Sequence, residues 1–200
     1  MPDIALTAAE APVVLLLSGS CNPGSRSLAL LAGAEAVFRD AGWCPVSWSP
    51  LDFPARDLLC ADFRSAAVQD FLRDIGRARA IVLVTPVRQA AYGGALKLML
   101  DLLPKHALRH AQVLPMAVGG SKAHLLIVDY ALRPVLAALK AERVLNCVFA
   151  TERDIATGPD GGFLLAADVQ ARLEAGVHAL LAIAPPALAG AAASRLAEAV

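Results

Sequence analysis

The chain is predicted to be α/β, a doubly wound parallel sheet with helices on both faces, and three observations carry that expectation. Short apolar runs without polar alternation recur along the chain, and each is followed by a segment of helical period. Three of these runs end in loops of small residues, after positions 17, 85 and 118. The 200 residues suit one domain with a full hydrophobic core. In sheets of this kind ligands bind beyond the carboxyl ends of the strands, so the three loops are expected on one rim.

Taken in order, residues 1–11 form a leader without structural signal, residues 12–184 the domain, and residues 185–200 an alanine-rich tail. Residues 13–17 read as a central strand covered on both faces, and residues 28–41 as a helix stopped by Gly42. Residues 44–49 form a second strand ended by Pro50 and Pro54, residues 51–63 are irregular, and residues 65–79 return to helical period. The third strand covers residues 80–85 and is closed by Pro86; a helix at 95–103 follows the glycine pair Gly93 and Gly94. Those glycines would let the backbone approach something flat or bulky. A fourth strand spans residues 112–118, a fifth residues 145–150, with a turn at 157–162 and a last helix at 166–184.

Between the last two strands lies a helix over residues 125–139 that is apolar on nearly every side except for Asp129 and Arg133, four apart. Pro134 lacks an N–H, so the carbonyl of Tyr130 loses its helical partner and a kink or π-type bulge is expected there. A helix apolar all round is covered all round, and a second subunit is the simplest cover.

Lysine plus arginine equals aspartate plus glutamate, 18 each, which argues against nucleic acid and anionic membrane surfaces as partners. The span 175–193 is interrupted by His178, Pro185 and Pro186, so no membrane helix is expected. Four cysteines without paired or metal-ligand spacing, and a first segment without a basic region, fit a reducing cytoplasm and no metal. Hydrophobic residues reach 57%, above the roughly 45–50% of ordinary domains, and suggest further burial by oligomerisation.

The stretch after the first strand, SGSCNPGSRS, re-enters directly as a helix. Unpaired N–H groups and the positive end of the helix dipole favour an anion there. Ser18, Ser20, Ser25 and Ser27 add hydroxyls and Arg26 a two-pronged cation, which together read as a seat for one phosphate, such as a mononucleotide carries. Alone, the stretch is equally an ordinary serine-capped turn. It contains neither a dinucleotide fingerprint nor a G-K-[ST] loop.

With these pieces in place, the sequence resembles the NADPH-dependent FMN reductase family, in the branch that supplies reduced flavin to two-component alkanesulfonate monooxygenases. The resemblance runs from Val14 to Glu152 through SRS at 25–27, TPV followed by AAYGGALK within 85–97, LDLLP at 100–104 and GGSKAHLLIVDYALRPVL at 119–136. It implies a flavodoxin-like fold with five parallel strands in the order 2-1-3-4-5, FMN on the rim, and hydride transfer from NADPH. By position it implies that Ser18, Ser20, Ser25, Arg26 and Ser27 hold the phosphate. Pro86 and Val87 would line the flavin ring, while Gly119, Gly120 and Ser121 approach its polar edge. Tyr130 matches a tyrosine associated with a π-helix at a tetramer interface, so a homodimer or homotetramer is implied, together with an FMNH2-dependent monooxygenase as partner.

The chain departs from the family in two places. Arg88 stands where a tyrosine is common, and could stack on the ring, meet a nicotinamide phosphate, or be an exposed loop arginine. Cys21 stands where a proline is frequent, as a reactive thiol at a helix start or a small tolerated residue. Lys97 and Asp101, four apart in the less favourable order for local support, raise an intersubunit role. No acid, base or nucleophile set is evident, and flavin reduction does not demand one. An FMN-prosthetic reductase of quinones, azo compounds or metal ions stands as an alternative. So does a non-enzymatic electron carrier, which the absence of net acidic charge disfavours.

Overall fold

A computed structural model describes residues 11–184; the expected tail and all but the last residue of the expected leader lie outside the described residues. The elements run β1 (Val13–Ser18), α1 (Ser27–Asp40), β2 (Cys44–Trp48), α2 (Ala55–Cys60), α3 (Ala66–Arg77), β3 (Ala80–Arg88), β4 (Ala91–Tyr92) and α4 (Gly94–Asp101). They continue with β5 (Gln112–Gly119), a π-helix (Val128–Leu132), α5 (Arg133–Ala138), β6 (Arg143–Val144), β7 (Val148–Thr151), the hairpin β8 (Ile155–Thr157) and β9 (Phe163–Leu165), and α6 (Ala167–Ile183).

The main sheet follows the order β2-β1-β3-β5-β6, with parallel pairing along that path. It gathers seven strands rather than five because β4 folds back antiparallel on β3 and the expected fifth strand is split. Gln112 and Val113 of β5 pair with Arg143 and Val144, whereas Met116 pairs with Val148, so one extra residue is accommodated across Leu145 to Cys147 as a bulge. Successive side chains of a strand point to opposite faces. Accordingly Leu15 and Leu17 join Phe71, Ile75, Leu96 and Leu132 on one side, and Val14 and Leu16 join Leu30, Phe38, Val169 and Leu173 on the other.

Local chemistry sets the element ends. Gly42, at φ 77°, ends α1 in a Schellman arrangement: its N–H donates to the Arg39 carbonyl at 2.9 Å and the Trp43 N–H to the Phe38 carbonyl at 2.9 Å. The Phe38 and Trp43 rings, 5.7 Å apart, supply the accompanying apolar contact. Pro86 does not close the third strand, which runs on to Arg88. The carbonyl of Val84 accepts from Gly19, so the backbone groups of Pro86, two residues on, point the same way, past the end of β1 where an N–H would have no strand to meet. Residues 51–63 are not wholly irregular: a capping box between Ser49 and Asp52 starts a single 3₁₀ turn, and α2 ends on Ala61 at φ 49°.

The break near Tyr130 is a π-helix. The Arg133 N–H donates five residues back to the Val128 carbonyl, and Pro134, with no N–H of its own, begins the α-helical turns that follow. Tyr130 is 80% exposed, and Leu125 and Leu126, just before the π-helix, are exposed as well, so this segment carries an apolar side left uncovered among the described residues.

Candidate functional site on the carboxyl rim

Burying a hydroxyl without a partner is unfavourable, so the distribution of buried polar residues is informative. Among the described residues six are buried, and five of them, Ser18, Ser20, Ser25, Ser27 and Thr85, sit where β1 and β3 reach the rim. Within the loop after β1, the Ser18 hydroxyl accepts from the Ser20 N–H at 3.3 Å and the Ser20 hydroxyl from the Asn22 N–H at 3.1 Å. The Asn22 side chain accepts from the Gly24 N–H at 2.9 Å, an Asx turn that folds the loop back on itself. The Ser25 and Ser27 hydroxyls lie 2.8 Å apart and bond to each other.

The helix behind this loop is uncapped. No side chain caps α1, and the backbone N–H groups of Arg26 and Ser27 meet no acceptor among the described residues. Two free donors, two buried hydroxyls and a guanidinium thus belong to three consecutive residues that line one cavity at the positive end of a helix, the donor set that a phosphate needs. The site therefore fits the phosphate of a flavin mononucleotide by its own chemistry.

Two glycines let the loops close on one another. A Cβ on Gly19 would come within 2.9 Å of the Leu96 Cβ and 3.2 Å of the Val84 carbonyl, and one on Gly93 within 3.0 Å of the Gly19 carbonyl. Thr85 ties the second loop to β3, its hydroxyl accepting from the Gly93 N–H at 3.0 Å. The space at Gly93 is thus filled by the chain itself, while a Cβ on Gly94 would meet nothing within 4 Å.

A cavity of about 160 Å³ is lined by Ser25, Arg26, Ser27, Pro86, Val87 and Arg88, with Asn22, Gly24, Val118 and Glu152 completing its wall. A second, of about 320 Å³, continues past Arg88 along Ser20, exposed Cys21, Gly93 and Gly94. Arg88 belongs to both and has no ion-pair partner among the described residues. Its place is set by the β3–β4 hairpin, where Val87 pairs with Tyr92 and Arg88 with Ala91 across Gln89 and Ala90, both at positive φ (46° and 58°). A larger apolar cleft, about 500 Å³ between α1 and β9, lies on the far side of the loop and holds none of these groups.

Other expected residues lie farther out. Gly119, Gly120 and Ser121 follow the end of β5, but Val118 is the residue of that strand that reaches the smaller cavity. A Cβ on Gly119 would meet the His124 Cβ at 2.9 Å and Phe149 at 3.1 Å, so this glycine makes room for His124, whose Nδ1 is buried without a partner. Lys97 and Asp101 pair with each other one turn apart on α4, and that bond holds the lysine above its ordinary range. Tyr130 and Pro134 lie on and after the π-helix. Glu152 carries no local signal in the sequence, because only the pairing of Thr151 with Gly119 brings it to the rim. Asn22 had a readable signal in the turn-forming run Asn22-Pro23-Gly24.

Among the described residues no helix is long and apolar enough to cross a membrane, and no group of three or more His, Cys, Asp or Glu could hold a metal ion.

Residues 12–155 match the family described as NADPH-dependent FMN reductase. An FMN reductase (NADPH) of Pseudomonas putida KT2440 is 46% identical over 144 residues, covering 72% of this chain and 73% of that protein. The protein of the same description from Escherichia coli K12 is 45% identical over 142 residues, covering 71% and 74%. An NADH-dependent FMN reductase, SfnE of Pseudomonas putida, is 33% identical over 167 residues, covering 82% and 90%. Among solved structures, the apo form of an NADH:FMN oxidoreductase (EMOB) superimposes with a TM-score of 0.79 at 27% identity, covering 89% of this chain and 92% of that one. With its flavodoxin-like sheet and these relatives, the chain belongs to the NADPH-dependent FMN reductase family and is an NAD(P)H-dependent FMN oxidoreductase that takes FMN and NADPH.

Proposed function

We propose that this protein reduces FMN as a dissociable substrate and supplies the reduced flavin to a partner monooxygenase, with sulfonate desulfonation as the setting. The observation that carries the reading is the cluster of Ser25 and Ser27 hydroxyls, free Arg26 and Ser27 N–H groups and the Arg26 side chain, lining a cavity whose other wall residues, buried Val118 aside, are exposed or half-exposed. Such a seat fixes one end of a mononucleotide and leaves the rest open to solvent and to a second nucleotide.

In this reading Ser25, Arg26 and Ser27 hold the phosphate directly, and Ser18 and Ser20 hold the loop in shape through the hydrogen bonds they accept. Pro86 and Val87 line the ring, Arg88 covers it or meets a phosphate of the nicotinamide nucleotide, and Gly119, Gly120 and Ser121 border its polar edge. FMN, when bound, supplies the hydride-accepting ring. The chain's own share is to bind, orient and hold the two nucleotides together, with no acid or base side chain needed. The uncovered face of Leu125, Leu126 and Tyr130 is the surface on which a homodimer or homotetramer would form, in the cytoplasm.

Passing FMN-saturated protein through a desalting column tests the reading. Loss of the flavin supports a substrate that comes and goes. Retention of one FMN per subunit would favour a prosthetic group and an external oxidant such as a quinone, azo compound or metal ion.

A further inference from the structure

We propose that Glu152 competes with the flavin phosphate for Arg26, and thereby sets how readily the flavin leaves. The inference rests on the FMN reading of the rim. Glu152 Oε2 lies 4.0 Å from Arg26 Nη1, and both side chains line the cavity that holds Ser25, Ser27 and the Pro86 to Arg88 edge. It is the one acidic residue in that wall. Among the described residues Arg26 has no other ion-pair partner.

Backbone geometry, rather than the ion pair, places Glu152 at this wall of the cavity. Glu152 follows Thr151, the last residue of β7, which is paired with Gly119 at the end of β5. It opens a 3₁₀ turn clamped by Asp154, whose carboxylate accepts from the Thr151 N–H at 2.7 Å and from its hydroxyl at 2.8 Å. Those two bonds hold the Asp154 carboxyl below its ordinary range, so the clamp persists at neutral pH. Glu152 itself has a side chain 64% exposed and meets Arg26 at the outer limit of an ion pair, an arrangement that contributes little to folding.

Its effect falls on binding. A phosphate carries nearly two negative charges near neutral pH, and the cavity offers it Arg26 and the helix start on one side and Glu152 on the other. With the phosphate absent, Glu152 occupies the guanidinium. With the phosphate present, that contact must be given up, and the carboxylate returns when the phosphate departs. A seat for a tightly held cofactor has no need of such a competitor, whereas one that must release its nucleotide gains from it.

The test is a flavin fluorescence titration of the full-length protein at low ionic strength, with FMN and with riboflavin, which lacks the phosphate. Glu152→Gln is expected to lower the Kd for FMN by about twofold to fivefold, the range of an exposed charge pair, and to leave the Kd for riboflavin unchanged. In an Arg26→Gln background the same substitution is expected to have no effect on FMN. An unchanged FMN affinity, an equal gain for riboflavin, or a gain that persists without Arg26 would each overturn the inference. If the wild-type protein shows no preference for FMN over riboflavin, the phosphate seat falls and the inference with it. A clear wild-type preference with no response to Glu152→Gln removes the inference alone.

Discussion

Arg133 donates through Nη2 to the backbone carbonyl of Leu145 at 3.0 Å, joining the residue after the π-helix to the bulge that splits the last parallel strand. Its Nη1 reaches the Val144 carbonyl at 3.3 Å, while its Nε is bonded to Asp129 at 2.7 Å. One guanidinium therefore bonds two backbone carbonyls where the strand is split, and the Asp129–Arg133 spacing has a purpose beyond a local helix pair. Arg133→Ala is expected to destabilise the fold by about 1–3 kcal/mol, since partly buried carbonyls lose a charged donor. Arg133→Lys, with a single ammonium in place of the fork, should recover only part of that. Thermal unfolding of both variants checks this; a melting temperature unchanged in Arg133→Ala would show the carbonyls to be satisfied otherwise.

Gly19, in the loop after β1, packs against Leu96 of α4. Gly19→Ala places a methyl group within 2.9 Å of the Leu96 Cβ, a backbone-anchored atom that cannot swing aside. The expected result is a loss of about 1–3 kcal/mol of stability together with weaker FMN binding, because the loop must shift to make room. Gly94→Ala, at a position open to solvent, should leave stability within about 0.5 kcal/mol of wild type.

Acid sensitivity has one identifiable source in His110. Its Nε2 donates to the Ile75 carbonyl at 3.1 Å, and burial lowers its pKa below the ordinary histidine range. The folded chain therefore keeps His110 neutral where the unfolded chain binds a proton, so its contribution to stability is present above about pH 6.5 and is lost as the pH falls through the lowered folded value. His110→Gln can keep a donor to Ile75 and does not titrate. Melting curves between about pH 7.5 and 5 are expected to fall less steeply for the variant than for wild type. Parallel slopes would assign the acid sensitivity elsewhere.

The π-helix offers a test of the uncovered face. Pro134→Ala restores an N–H that can donate to the Tyr130 carbonyl, and deleting Tyr130 removes the extra residue of the wide turn. Either change is expected to regularise the helix and to alter the oligomeric state or the retention of FMN, read by light scattering and flavin titration. Both variants behaving as wild type in both measurements would contradict the assignment of that face.

The parts legible in the sequence are those set by local chemistry. Unbroken apolar runs marked the central strands, Gly42 the end of α1, and Pro134 the loss of α-helical bonding near Tyr130. The parts not legible depend on partners distant in the chain. Pro86 reads as a strand end until Gly19 is seen to occupy the Val84 carbonyl, which shows which way the proline's missing donor would have pointed. The β3–β4 hairpin carries no turn signal in the sequence because Gln89 and Ala90 turn it at positive φ without the Gly or Asn that such turns favour. Glu152 reaches the cavity only through the register of β7 on β5, and a one-residue bulge upstream sets that register. The small-residue run after β1 marks a loop in the sequence, whereas the bonds of its hydroxyls follow only from the folded chain.

The most direct test of the central claim is anaerobic stopped-flow mixing of flavin-stripped protein with NADPH and varied FMN, following bleaching of the visible flavin band. Turnover is expected to saturate with FMN, and reduced flavin to accumulate well beyond one equivalent per subunit. Reduction that stops at one equivalent and resumes only when a quinone, azo dye or metal ion is added would contradict it.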